Sequence, residues 1–348
     1  MVVLSHYWAL AGIKPGVFVF LFTGVDLFFV ISGFVFAPYF FGKALSPQPF
    51  FVKRFFRIYP LFAISLLVYA ALKVANSQEA KYLVTHLLFL YTTDSREVAF
   101  YYNPAYWSLP TEVEFYLLLP AMAYVARFKR GFVTTFVVAL TLHFVIAYLI
   151  PLDMQTLNNY LALSVHLPGL LIEFLLGVIA WKIAQSHLSS TARFLMLVAG
   201  AAAWFVAAYV FDFYFARGGD NGVLKSDLLR GNVGLLAALA FAPIVAALAY
   251  LPLPPALWFK KMCLWLGNLS FGIYLFHNAA PQILNLFGVT APPLLFASLC
   301  LGLTFLIAQI LYSYLENPCR NYGRALAQKF TTKKIDIKQT AQPSPPSP

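Results

Sequence analysis

Hydrophobic residues in this chain come in long blocks separated by short polar segments. Between Lys261 and Glu316 there is no Asp, Glu, Lys or Arg, a gap of 54 residues. That is too long for one membrane helix of about 20 residues and fits two joined by a turn near 288–293. The charge-free stretches 131–152, 194–211 and 231–259 have single-span lengths. The pattern predicts spans near 1–13, 17–37, 58–76, 111–127, 132–150, 165–183, 194–212, 230–250, 264–286 and 293–315. Residues 82–93 are apolar but short and read as an interfacial or re-entrant helix. The expected fold is all-α, a polytopic bundle of about ten helices over 1–318. A basic, Pro- and Ser-rich cytoplasmic tail over 319–348 is expected to be disordered at its end. The first span is anomalous: about 13 residues make about 20 Å of helix against a hydrocarbon core of about 30 Å, so the chain reads as starting in mid-helix.

Composition sharpens this picture. Hydrophobic residues make up 61% of the chain and charged residues 11%, against about 25% charged in a soluble domain. The net charge of +11 does not point to nucleic acid, because the basic residues cluster at the ends of apolar blocks, as topogenic charges do. With the N-terminus inside, 17 of the 24 Lys and Arg fall on cytoplasmic segments, which predicts an N-in, C-in topology. Cys263, Cys300 and Cys319 form neither a disulfide framework nor a metal-ligand pattern. Small residues such as the Ala199–Ala203 run are expected to hold helices together by close approach.

An ionisable side chain at bilayer depth costs about 2.5–3.5 kcal/mol on insertion scales, so each one calls for a reason. His6 and Asp26 fall at similar depths on adjacent antiparallel spans, and the expectation is a pair in which Asp26 orients the ring; the bland alternative is a helix-locking hydrogen bond. Arg54 and Arg57 share a helical face, which suits a phosphate ligand at the inner surface as well as plain topogenic anchoring. Glu112 and Glu114 open a span and point to different faces. Helix capping is a strong reading for both, and Glu112 is the one expected to face the cavity. Glu173 and His277 stand isolated in apolar spans and read either as buried hydrogen-bonding residues or as parts of a site. His86, His143, His166 and His187 show no visible partner in the sequence.

The order His6, GVDLFFVISGF (24–34), RFFRIYP (54–60), WSLPTEVEFYLLLP (107–120), FLLG (174–177) and NLSFGIYLFH (268–277) resembles acyltransferase family 3, the bacterial membrane O-acyltransferases. Single motifs are weak, but six in order along nearly the whole chain are specific. The resemblance implies a stand-alone membrane enzyme of the inner membrane, without the fused esterase-like domain of some relatives. It implies acyl transfer, acetyl by default, from cytoplasmic acyl-CoA to a hydroxyl of a carbohydrate or lipid-linked sugar. Acyl-CoA is then a co-substrate, with no bound cofactor and no metal. By the same resemblance His6 matches the essential first-span histidine, Arg54 and Arg57 the Arg-x-x-Arg pair, and Glu112 the first acid of the Trp-Ser-Leu segment. Asp26 is expected to join the catalytic group, with Ser32, Trp107, Glu173 and His277 as supporting candidates.

The sequence departs from the family pattern. The arginine usual upstream of the histidine is absent, the chain beginning five residues before His6. Val113 and Glu114 replace the second acid and the glutamine of the usual run. A rival reading is a transporter or flippase, since buried ionisable residues also mark substrate paths. Many transporters are built from internal repeats, and none is visible here.

Overall fold

A computed structural model describes residues 1–13, 16–93, 95–149, 165–213, 227–251 and 256–340, and among them there is helix and no strand. The helices are α1 (Val2–Leu10), α2 (Gly24–Phe36), α3 (Pro47–Ala75), α4 (Leu83–Leu87), α5 (Arg96–Ala99), α6 (Ser108–Val125) and α7 (Gly131–Leu149). They continue as α8 (Leu167–Ala184), α9 (Ser190–Phe211), α10 (Asp227–Leu248), α11 (Leu257–Phe276), α12 (Ala279–Leu286), α13 (Pro293–Leu311) and α14 (Asn317–Thr340). Every expected span finds a helix. Among the described residues six helical segments are long and apolar enough to cross a membrane: Val19–Phe41, Pro47–Ala75, Leu167–Ala184, Ser190–Phe211, Gly231–Leu248 and Pro293–Phe330. The protein is an all-α polytopic membrane protein.

Three boundaries differ from the sequence expectation in ways that shape the site. Helix α3 begins at Pro47, well before residue 58, because Pro47 suits a first helical position. At 29 residues it is about 43 Å long, and Arg54 and Arg57 lie inside it. The span expected over 264–286 is two helices, interrupted at His277–Asn278. Side chains serve the carbonyls at the break: Leu275 O accepts from Tyr69 Oη and Asn103 Nδ2, each at 3.0 Å, and His277 O accepts from Tyr7 Oη at 2.5 Å. An interrupted helix in a membrane needs such replacement partners. Finally, α13 passes through a π-helical turn, Tyr312–Glu316, into α14. The expected tail is therefore helical as far as Thr340, and its end, 341–348, lies outside the described residues.

Close packing of small residues fixes the centre of the bundle. A Cβ on Gly33 would lie 1.8 Å from the Phe174 carbonyl oxygen, and one on Gly177 would lie 1.9 Å from that of Val30. Helices α2 and α8 thus cross backbone to backbone, as small residues permit in membranes. Gly200, in the small-residue run of α9, meets Ala240 O of α10 in the same way, at 2.6 Å from its Cβ position. Around the crossing, Phe174 stacks on Phe115 at 4.1 Å and meets Phe29 at a tilt, 4.8 Å between ring centroids.

Candidate active site

Among the described residues, three groups of polar side chains concern the sequence candidates. The first is built by α3 and α6. The Arg54 guanidinium sits in an aromatic box, 4.9 Å from the Phe36 ring centroid, 5.5 Å from Tyr116 and 5.7 Å from Phe50. Such faces attract a cation by their quadrupoles. Tyr116 donates its hydroxyl to Glu112 Oε1, one turn earlier on α6. Glu112 is buried and within electrostatic reach of both Arg54 and Arg57. Arg54 Nε is buried without a partner. A continuous polar path therefore runs from Arg54 through Tyr116 to Glu112.

Glu112 forms part of the wall of a cavity of about 310 Å³, with Val2 of α1, Gly24 and Val25 of α2, and Ser108 and Tyr274. Tyr274 donates to the Ala105 carbonyl. That leaves the Ser108 hydroxyl as donor to the Tyr274 oxygen, across 2.7 Å.

The second group stands one helical turn beyond the cavity. His6 follows Val2 by four residues and His277 follows Tyr274 by three, about 5 Å along each helix axis. Their rings meet edge to face with centroids 4.9 Å apart. His277 Nδ1 lies 2.7 Å from the Tyr274 carbonyl. A carbonyl only accepts, so Nδ1 carries the proton and Nε2 presents a lone pair. That Nε2 is buried without a partner. Tyr7, beside His6, bonds both His277 O and Thr304 Oγ1, the latter at 2.9 Å, and so ties α1 to α11 and α13.

The third group holds Asp26, and here the sequence expectation needs correction. No hydrogen bond or ion pair joins His6 and Asp26 among the described residues. Asp26 instead lies against Glu173 of α8, whose two carboxylate oxygens are buried without a hydrogen-bond partner. Gly234 of α10 closes over the pair, its Cβ position lying 2.5 Å from Glu173 Oε1 and 2.6 Å from Asp26 Oδ1. The expectation matched the two residues in depth, but not in direction around the helix. Val25 and Leu27 face the cavity, while Asp26 between them turns to the opposite neighbours. Glu173 is fully buried and is not isolated.

Of the other candidates, Ser32 is buried in α2 beside the Gly33 crossing, and Trp107 packs edge-on against Phe29 at 6.2 Å. Glu114 diverges from Glu112 as expected. It accepts from the Leu167 amide at 2.9 Å and pairs with His166 Nδ1, capping α8. His143 staples three helices through Gly169 O at 2.7 Å and Asn232 Oδ1 at 3.0 Å. His86 stacks on Tyr91 at 4.3 Å. Sequence reasoning missed Tyr116, Tyr274 and Tyr7. Only Tyr116 carried a usable signal, standing four residues from Glu112 on the same helical face.

The cavity thus has the boxed arginine and Glu112 on one side and the histidine pair one turn beyond it. The family model described as an acyltransferase domain matches residues 1–313, and the chain belongs to this family, acyltransferase family 3. No curated protein and no solved structure matches the chain. It is a membrane acyltransferase.

Proposed function

We propose that this acyltransferase moves an acyl group, acetyl by preference, from cytoplasmic acyl-CoA to a hydroxyl of a carbohydrate acceptor. A cell-surface polysaccharide or its lipid-linked precursor fits this role. The enzyme works in the bacterial inner membrane with both termini inside. One observation carries the reading: the cavity has the Arg54–Tyr116–Glu112 path on one side and the His6–His277 pair one turn beyond it.

Arg54 and Arg57 hold the phosphates of CoA, for which guanidinium forks are suited. The acyl-pantetheine arm extends into the cavity, where water is scarce and the thioester is protected. His6 takes the proton of the acceptor hydroxyl, the alkoxide oxygen bonds to the thioester carbonyl carbon, and the C–S bond then breaks. The departing thiolate receives the proton from His6, giving free CoA and the new ester. A covalent variant has His6 carry the acyl group itself before passing it on. The His277 ring, edge to face with His6, gives it a neighbour to orient against, the part first expected of Asp26.

The test is transfer of label from radioactive acetyl-CoA to membrane glycans by the reconstituted protein. A folded His6→Ala variant that transfers label at the normal rate would overturn the reading.

A further inference from the structure

Seven residues past the matched family region, Arg320 of α14 approaches α3. Its Nη1 lies 3.4 Å from Glu316 Oε1, and it is within electrostatic reach of Arg57 and Arg324. Glu316 also feels Arg57. It is buried, and its Oε2 has no partner. Two arginines, Arg57 and Arg320, thus share one carboxylate, with Arg324 near Arg320, which leaves the group cationic and one of its acceptor oxygens unused. The local build is specific. Glu316 ends the π-helical turn, a distortion that recurs at functional sites. Helix α14 is locked to α3 at the same level: a Cβ on Gly323 would lie 2.6 Å from Phe56 Cβ, and Phe56 packs on Tyr322 at 5.2 Å. Arg57 and Arg320 are therefore held to each other by packing and do not depend on a ligand to bring them together.

We propose that Arg320 is a phosphate-binding residue of the acyl-CoA site. It completes with Arg57 a grip on the 3′-phosphate, and Glu316 occupies the grip until that phosphate arrives. The inference rests on the acyl-CoA reading above. A carboxylate offers two oxygens and one negative charge; a phosphate monoester offers three oxygens and nearly two charges, a better match for paired guanidinium forks. Anionic lipid headgroups share this chemistry, so the experiment separates the two sources.

Binding of CoA and of 3′-dephospho-CoA is measured by calorimetry on the full-length protein in nanodiscs, with and without phosphatidylglycerol. In the wild type CoA is expected to bind at least tenfold more tightly than 3′-dephospho-CoA. Arg320→Gln is expected to erase that difference while leaving 3′-dephospho-CoA affinity within about twofold. Glu316→Gln is expected to strengthen CoA binding, since it removes the competing charge. The inference is overturned if Arg320→Gln leaves the CoA preference intact while Arg57→Ala removes CoA binding, a result that spares the acyl-CoA reading. It is also overturned if Arg320→Gln alters only the response to phosphatidylglycerol, which would make the cluster a lipid-headgroup site. A wild-type protein that binds neither nucleotide overturns both readings together.

Discussion

The His6 and His277 rings stand edge to face at 4.9 Å although they come from opposite ends of the chain. Removing either ring should therefore damage catalysis in different ways. Loss of general base function costs about 10²- to 10⁴-fold, so His6→Ala should fall to background. His277→Ala should lower kcat by about tenfold or more while the KM for acyl-CoA stays constant, because His277 lies beyond the cavity from the arginines. Steady-state kinetics on protein of unchanged thermal stability checks both.

The aromatic box around Arg54 makes a charge-conserving replacement informative. Arg54→Lys keeps the cation but loses the planar stack over Phe36, Phe50 and Tyr116, and lysine lacks the guanidinium fork. A cation–π contact is worth about 0.5–2 kcal/mol. The KM for acyl-CoA should rise with little change in the melting temperature; an unchanged KM would show that Arg54 does not contact the donor.

Tyr116→Phe removes only the hydroxyl that serves Glu112. A buried acceptor left without its donor costs about 1–3 kcal/mol, so the variant should melt earlier than wild type in detergent. A melting point equal to wild type would mean that Glu112 finds water in the cavity instead.

The glycines offer a paired test of packing. A Cβ at Gly33 would overlap the Phe174 carbonyl at 1.8 Å, whereas nothing lies within 4 Å of one at Gly302. Overpacking costs about 1–3 kcal/mol, while Gly→Ala in an open helix position gains up to about 1 kcal/mol. Gly33→Ala should lower the melting temperature and Gly302→Ala should hold or raise it, as read by scanning fluorimetry.

Asp26 and Glu173 meet beneath Gly234, and two ionised carboxylates have no donor to offer each other. Glu173→Gln supplies a donor toward Asp26 and should fold at least as well as wild type. Glu173→Ala strands Asp26 in a dry crossing and should lose stability. Expression level and thermal melting distinguish the two outcomes.

Much of this was legible in the sequence. The apolar blocks marked the long apolar helices, because lipid solvates only helices whose backbone is internally satisfied. Of the polar residues singled out, Arg54 and Glu112 both meet Tyr116, and His6 stands against His277. What failed was direction and pairing. Depth along a helix follows from counting residues, but whether Asp26 faces α1 or α8 depends on how α2 is rotated, and Gly33 and Gly177 fix that rotation at a contact between segments far apart in the chain. Glu173 looked solitary for the same reason. The break at His277 was hidden because no charge interrupts the apolar block, and the signals that permit it, Tyr7, Tyr69 and Asn103, lie elsewhere in the chain. Arg320 read as an ordinary topogenic charge until α14 was seen packed on α3.

The latch formed by Tyr7 also sets an order of events during biosynthesis. Its two partners, His277 O and Thr304 Oγ1, lie 270 and 297 residues downstream. Helix α1 leaves the ribosome before α11 and α13, so this latch cannot form until both have been synthesised and inserted. Domains generally form as units once their sequence is available, and here the histidine pair forms only after α11 has joined α1. A nascent chain halted before His277 would carry His6 without the ring that faces it, so the proposed acyl-transfer centre would be incomplete until α11 is in place.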